Sequence, residues 1–406
     1  MGLHRILPRS RLSSAREYRE GTCACTPNVL RGKPVPAARI SGSWPRDSRR
    51  PARSNTKLRY GSSVLSSTQS HSKPHREPGV VAIASPSLAL VKYWGKSDDE
   101  ANIPAVPSLA VTLAGLTTRT VVGIVAPGAA HDGADRGATD SVRVDGEVIP
   151  PDRNRKFFAA VRSALGSSIP EDARFHAESR NSFPTAAGLA SSSSGFAALA
   201  AGCFAAVRRE AELGTISSVA RVGSASAARS VFGGFVTLRS GAEKAEPLFG
   251  TDHWPDFRVV VAVLHEGKKD VASRSAMRLT RDTSPFYRAW VDDSHGVFEA
   301  GVRALADRDI ERLGEIMRLS YLRMFGTMFS ADPPVFFWRP ESVAVIRECA
   351  RLRAGGVPVW ETMDAGPQVK MITTNGHLAA VKNALAGIGV ARVIECRPGA
   401  GVTIET

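Results

Sequence analysis

The chain has 406 residues, is 43% apolar and 23% charged, and carries 53 Lys/Arg against 39 Asp/Glu, a formal charge of +14. Residues 1–77 hold 16 of the basic and 4 of the acidic residues, so this segment carries +12 and the remaining 329 residues only +2. A body so nearly neutral argues against a basic nucleic-acid-binding domain, and the absence of any run of 18 uncharged apolar residues argues against a membrane span.

In chain order, residues 1–77 are rich in Arg, Ser and Pro and cannot bury enough apolar surface to offset their ordering entropy, which predicts disorder. Three readings fit them: a solvated extension or an upstream gene start, an organelle-targeting peptide in MGLHRILPRSRLSSAR, or a nucleic-acid-binding arm. The first is preferred. Five scattered cysteines without metal spacing fit a reduced, cytoplasmic protein. Val80 to Val91 reads as one buried strand, and Ser108 to Thr112 begins another. Val142 to Ile149 reads as a hairpin with Asp145-Gly146 as a type I′ turn. Helices are expected over Arg155 to Leu165 and Ser192 to Glu210, and strands over Val231 to Leu238 and Phe257 to Leu264. Further helices are expected over Pro285 to Ala306, Asp309 to Phe325, Glu341 to Ala354 and His377 to Leu385. Strands Val357 to Thr362, Val369 to Thr373 and Ala391 to Cys396 complete the reading. Without a regular βαβ rhythm, the class is α+β.

Four segments carry candidate chemistry. NSFPTAAGLASSSSG, Asn181 to Gly195, puts a glycine and the serines Ser191 to Ser194 at the start of an Ala-rich helix. Unpaired N–H groups there suit phosphate, and hydroxyls suit phosphate oxygens or Mg²⁺; plain N-capping is the simpler use of such serines. LVKYWGK, Leu90 to Lys96, offers two lysines and a tyrosine that can hold a polyphosphate. Its plainer reading is a strand end with solvated lysines. VGSASAARSVFGG, Val222 to Gly234, sets Ser224 and Ser226 ahead of Arg229, which can grip a phosphate or carboxylate bidentately. A capped helix with a surface arginine reads equally well. TMDAGP, Thr362 to Pro367, places Asp364 at a strand end, as a general base, an orienting anion or a turn aspartate.

Together and in this order, the four segments resemble the mevalonate diphosphate decarboxylase family of the GHMP kinase superfamily. The likeness runs through KYWGK, PSLAVTL (Pro107 to Leu113), SFPTAAGLASSSSGFAAL (Ser182 to Leu199), GSASAARSVFGGFV (Gly223 to Val236), DPPVFFW (Asp332 to Trp338) and MDAGPQVKM (Met363 to Met371). It covers Val80 to Thr406 and none of the tail. It implies an α+β GHMP kinase fold. A ribosomal-protein-S5-like N-terminal lobe (78–250) and an α/β-sandwich C-terminal lobe (251–406) would flank a deep cleft. Residues 1–77 would stand outside as a disordered basic extension. The implied reaction uses ATP to phosphorylate the 3-hydroxyl of mevalonate 5-diphosphate; the phosphate and CO₂ then leave, giving isopentenyl diphosphate.

By the resemblance, Asp364, Arg229 and Lys92 are catalytic. Tyr93, Trp94, Gly95 and Lys96, with Arg155, Ser224, Ala225, Ser226, Ala227, Ala228, Arg229 and Arg274, bind the substrate. Pro184, Ala187, Gly188, Leu189, Ser191, Ser192, Ser193 and Ser194 bind ATP, with Ser192 the Mg²⁺ ligand. A homodimer with no nucleic-acid or membrane partner is implied. The chain departs from the pattern where relatives carry Asn (Ser87), Thr (Arg274) and often His (near Phe325). Close alternatives are a decarboxylase of mevalonate 5-phosphate or of a 3,5-bisphosphate. The alternative from another class is a non-catalytic phosphate-metabolite sensor, against which the retention of Asp364, Arg229 and Lys92 argues.

Overall fold

A computed structural model describes residues 57, 79–125, 139–183, 191–267 and 271–405, and these form one compact unit. Apart from Lys57, which forms an isolated bridge with Glu212, the tail expected to be disordered lies outside the described residues, as do the phosphate-loop residues Pro184, Ala187, Gly188 and Leu189. The class is α+β, as expected: a six-stranded sheet, an eight-stranded sheet and helices packed on both.

Val80 to Val91 is two strands rather than one, Val80–Ala84 and Ser87–Val91, and they belong to different sheets. Pro86 has no N–H to donate, so the ladder cannot run through it. The first strand pairs with Thr118–Val125 and Thr403–Glu405, the second with Ser108–Ala114. Strands from both halves of the chain share the larger sheet, joined where Arg392–Pro398 pairs with Ser108–Ala114. The Asp145-Gly146 turn has positive φ at both residues (49° and 86°), as a type I′ turn requires.

Several boundaries move. The strand read over Val231 to Leu238 is only Phe235–Leu238, because a short helix, Ala227–Ser230, and a turn through Gly234 (φ 69°) occupy the approach. The Ala-rich helix is Ser191–Ala206 and stops short of Glu210. The strands Thr118–Val125 and Arg174–Asn181 were not anticipated. Phe175, Ala177 and Ser179 do alternate inward along the second, but its Arg, His and Glu residues masked the pattern. The helix Ser273–Thr283 gave no apolar signal, since it buries only Ala276 and Thr280.

Two contacts position the site. Helix Ser191–Ala206 is buried almost all round and lies directly on the six-stranded sheet. A Cβ at Gly202 would lie 2.5 Å from Val122 Cγ2, so only glycine permits this approach and hence this placing of the helix N-terminus. Under the larger sheet, Tyr287–Ala306 and Ile310–Phe329 pack around Leu88, Leu109, Phe298, Leu313, Met317 and Trp360, holding the end of Ser87–Val91 against Ile310–Phe329.

Candidate functional site

Lys92 follows directly on the strand Ser87–Val91. Its backbone N–H donates to Ser320 Oγ (2.9 Å), and its side chain is 1% exposed. Asp364 follows Trp360–Met363, in the loop of the hairpin that returns as Val369–Thr374. The loop is pinned: Gln368 Oε1 accepts from the Leu264 N–H (2.5 Å), and Ser342 Oγ donates to the Pro367 carbonyl (2.7 Å). The two elements bring Lys92 Nζ to 2.7 Å from Asp364 Oδ1, while Lys92 Nζ also donates to the Ala89 carbonyl (2.8 Å).

Charge in this region is strongly perturbed. Burial pulls the Lys92 ammonium down to about 8, although Asp364 opposes the fall. Burial alone would push the Asp364 carboxyl up, but Lys92 and Lys370 overcome it and hold the group well below the usual carboxylate range. Burial likewise pulls the Arg229 guanidinium down to about 10, with Asp364 opposing. Arg229 lies in the short helix Ala227–Ser230, 2% exposed, and donates from Nη1 to Ser108 Oγ (2.7 Å). Its Nε is buried and has no partner among the described residues. Buried donors are normally satisfied, so an orphaned guanidinium nitrogen beside an anion marks a place for a ligand acceptor.

Two phenols share that property. Tyr93 Oη and Tyr287 Oη are both buried and have no partner among the described residues. Burial raises the Tyr93 hydroxyl, with Arg229 opposing, and pushes Tyr287 up to about 12, so both remain neutral donors at pH 7. Lys96 is 5% exposed and bonds Asn102 Oδ1 at 2.5 Å; burial and then Arg274 pull it down to about 8. Arg274 is exposed on Ser273–Thr283 and donates to the Gly223 carbonyl (3.3 Å), immediately before Ser224.

The serines divide by orientation. Ser192 Oγ lies 3.4 Å from Ser224 Oγ, which lies 3.0 Å from Ser226 Oγ, so the expected ATP and substrate segments meet there. Ser193 and Ser194 are wholly buried: Ser193 accepts from the Ser87 N–H (3.4 Å) and Ser194 pairs with Thr118 (2.6 Å). Ser191, at the first turn of the helix, is partly exposed. Ala225, Ala227 and Ala228 bury their methyls in the core. Trp94 turns inward, donating to Thr280 Oγ1 (2.8 Å). Arg155 is exposed on helix Pro151–Leu165, with no side-chain hydrogen bond or ion pair among the described residues. Ser87, at the position of an expected Asn, backs both loops through Ser193 and the Ser226 carbonyl. Phe325, wholly buried, packs on Tyr321, Phe329 and Trp338, an apolar setting that suits phenylalanine.

Sequence reasoning passed over Lys370 and Tyr287. Lys370 Nζ lies 3.2 Å from Asp364 Oδ2 and is 4% exposed; a lysine within the apolar strand VKMITT was the available signal. Tyr287 opens a long helix, where an aromatic reads as core. A cavity of about 380 Å³ lined by Glu212, Thr215, Ser218, Glu243 and Glu246 contains none of these residues. A close-packed crevice of about 10 Å³ lies beside Asp364 and Lys370.

Known proteins carry the same arrangement of chain. The model of the diphosphomevalonate decarboxylase-like N-terminal domain matches residues 84–248, and that of the mevalonate 5-diphosphate decarboxylase C-terminal domain matches residues 259–392. The chain belongs to the diphosphomevalonate decarboxylase family. Among its relatives, the diphosphomevalonate decarboxylase of Gibberella zeae is 33% identical over 69% of this chain and 77% of its own length. That of Saccharomyces cerevisiae is 30% identical over 69% and 74%. The mevalonate diphosphate decarboxylase structure from Staphylococcus aureus superposes with a TM-score of 0.73 at 33% identity, covering 81% of this chain and 98% of that one. The structure of MDDEF in complex with MVAPP, AMPPCP and magnesium superposes with a TM-score of 0.72 at 33% identity, covering 81% and 99%. The architecture is therefore the GHMP kinase fold of this family.

Proposed function

We propose that this chain is an ATP-dependent mevalonate 5-diphosphate decarboxylase, working in isoprenoid biosynthesis by the mevalonate pathway. The observation that carries the reading is the convergence of Lys92 and Arg229 on Asp364 beside three buried donors with no partner among the described residues, Tyr93 Oη, Tyr287 Oη and Arg229 Nε. Family membership supplies the substrate class; the cluster supplies groups for each step.

The 3-hydroxyl oxygen forms a bond to the γ-phosphorus of ATP as the bond from that phosphorus to ADP breaks, and the hydroxyl proton departs toward Asp364. Held ionised at pH 7, Asp364 accepts or steers that proton. The Lys92 ammonium offsets charge on the moving phosphoryl group, whose transition state is loose and rich in negative oxygen. Then the C3–O bond breaks, releasing phosphate, and the electrons of the bond to the carboxylate form the new double bond, releasing CO₂. Arg229, through its buried Nε, holds the carboxylate until it leaves. Tyr93, Tyr287, Lys96 and Arg274 surround the 5-diphosphate.

ATP phosphates sit at the N-terminus of Ser191–Ala206 and at Ser192. The Ser192 hydroxyl beside Ser224 is a hard oxygen donor that fits Mg²⁺. Ser192 would hold the ion, which would supply charge neutralisation to the polyphosphate. Residues 78–250 and 251–406 form the two lobes, a division supported by the two family-model spans. The free, buried Cys203, Cys349 and Cys396 support a reducing, cytoplasmic setting.

The test couples ADP release to a reporter and traps CO₂, with mevalonate 5-diphosphate and 5-phosphate compared. Stoichiometric ADP and CO₂ from the diphosphate is the expected result. Preference for the monophosphate would reassign the substrate, and ATP-dependent CO₂ release from neither would remove the enzymatic reading.

A further inference from the structure

Asp364 is gripped on both oxygens. Lys92 Nζ holds Oδ1 at 2.7 Å and Lys370 Nζ holds Oδ2 at 3.2 Å. Each oxygen gives one of its lone-pair sites to a lysine, so the hold on Asp364 is shared, and a phosphoryl group that draws one lysine away leaves the other as the remaining tie.

The two lysines differ in their mountings. Lys370 is the second residue of Val369–Thr374, paired across the sheet with Thr362 on one side and Val261 on the other. Backbone bonded on both flanks cannot shift without breaking ladder hydrogen bonds. Lys92 stands just past the end of Ser87–Val91, where the chain turns toward Tyr93 and Lys96. The two side chains are almost equally buried, so it is the mounting that distinguishes them.

We propose that Lys370 is a positioning residue that keeps Asp364 in place through Oδ2 while Lys92 moves its contact from Oδ1 to the incoming phosphoryl group. Without such an anchor, the departure of Lys92 would release a loop carboxylate that is 26% exposed. With it, the freed Oδ1 faces the substrate hydroxyl in a fixed orientation, and alignment of reacting groups is worth large factors in rate.

Charge agrees with this geometry. The groups facing Lys92 are Asp364, Lys370 and Arg229: after burial, Asp364 raises its proton affinity, and Lys370 and Arg229 lower it. Those facing Asp364 are Lys92, Lys370 and Arg229. Three cations around one carboxylate leave an excess of positive charge that an arriving polyphosphate neutralises, which favours exchange of Lys92 from carboxylate to phosphate.

The inference rests on the proposed decarboxylation, and the full-length protein tests it. Lys370→Met removes the ammonium and keeps the length of the side chain. Turnover should fall by about 10–100-fold, the scale of a misaligned catalytic group. KM for both substrates should stay within about threefold, since ground-state binding is untouched. The alkaline limb of kcat should move to higher pH, because Lys92 loses a repelling neighbour. Lys370→Arg retains the charge; it should keep the limb in place and restore most of the turnover. A folded Lys370→Met protein with wild-type kcat would overturn the proposal. So would loss of kcat with an unmoved limb, the mark of a packing role, or a limb shifted equally by arginine. Should the methionine variant not fold, Lys370→Gln also removes the charge and is held to the same outcomes. Wild-type protein inactive on mevalonate 5-diphosphate would refute the proposed function instead.

Discussion

The Tyr287 ring lies over Gly95: a Cβ at residue 95 would stand 2.7 Å from Tyr287 Cζ and closer still to its hydroxyl. Gly95 also has φ 100°, which side chains rarely adopt. The glycine of KYWGK thus admits the phenol to the proposed diphosphate site. Gly95→Ala should cost about 1–3 kcal/mol from backbone strain alone and should raise KM for the diphosphate by displacing Tyr287. Denaturant midpoints and steady-state kinetics on the same preparation check both effects.

Tyr287→Phe removes a hydroxyl with no partner among the described residues, so stability should change by less than about 1 kcal/mol. If that hydroxyl donates to a phosphate oxygen, the charged hydrogen bond is worth about 1.5–3 kcal/mol, and KM should rise by about 10–100-fold. An unchanged KM would remove Tyr287 from the binding site.

Asp364→Asn keeps the shape and removes the charge held between Lys92 and Lys370. Turnover should drop by about 10²–10⁴-fold, the range for a lost proton-transfer group. ATP binding, measured directly by calorimetry, should stay close to wild type. Near-normal turnover would contradict the role given to Asp364.

The pH profile should be asymmetric. Lys92 and Lys96 are both pulled down to about 8, so each loses its charge as pH rises through that value, and kcat/KM should fall there. Asp364 is held well below the usual carboxylate range, so its protonation should impose no acid limb between about pH 5 and 7. Bound polyanions favour the charged lysines, which places the limb of kcat at higher pH than that of kcat/KM. An acid limb that disappears in Asp364→Asn would refute the ionised resting state.

Behind the site, Glu361 is wholly buried and receives Arg318 and Arg353, each at 2.7 Å, and the Tyr321 hydroxyl at 3.2 Å. It precedes Asp364 by three residues, at the base of the same hairpin. Glu361→Gln weakens a bound charge; with Arg318 43% exposed and screened, the loss should be about 1–3 kcal/mol. Chemical unfolding measures it, and an unaltered midpoint would show the network to be energetically idle.

Much of this protein is legible from its sequence. The α+β class, the type I′ turn at Asp145-Gly146 and the long helices follow from local periodicity and turn chemistry, which depend on neighbours in the chain. The motifs named Lys92, Arg229 and Asp364, because residues with uncommon chemistry in fixed short contexts carry a family signature. Tertiary structure alone decided that Val80 to Val91 is split between two sheets, that Ser193 and Ser194 point inward, and that Trp94 packs as core. It alone brought Lys370 to Asp364 and Tyr287 over Gly95. Burial and the convergence of charges arise between residues far apart in the chain, and no local pattern records which distant side chain will meet which. For the same reason, the tail's +12 says little about a nearly neutral body in which Lys92, Lys370 and Arg229 are buried together beside one carboxylate.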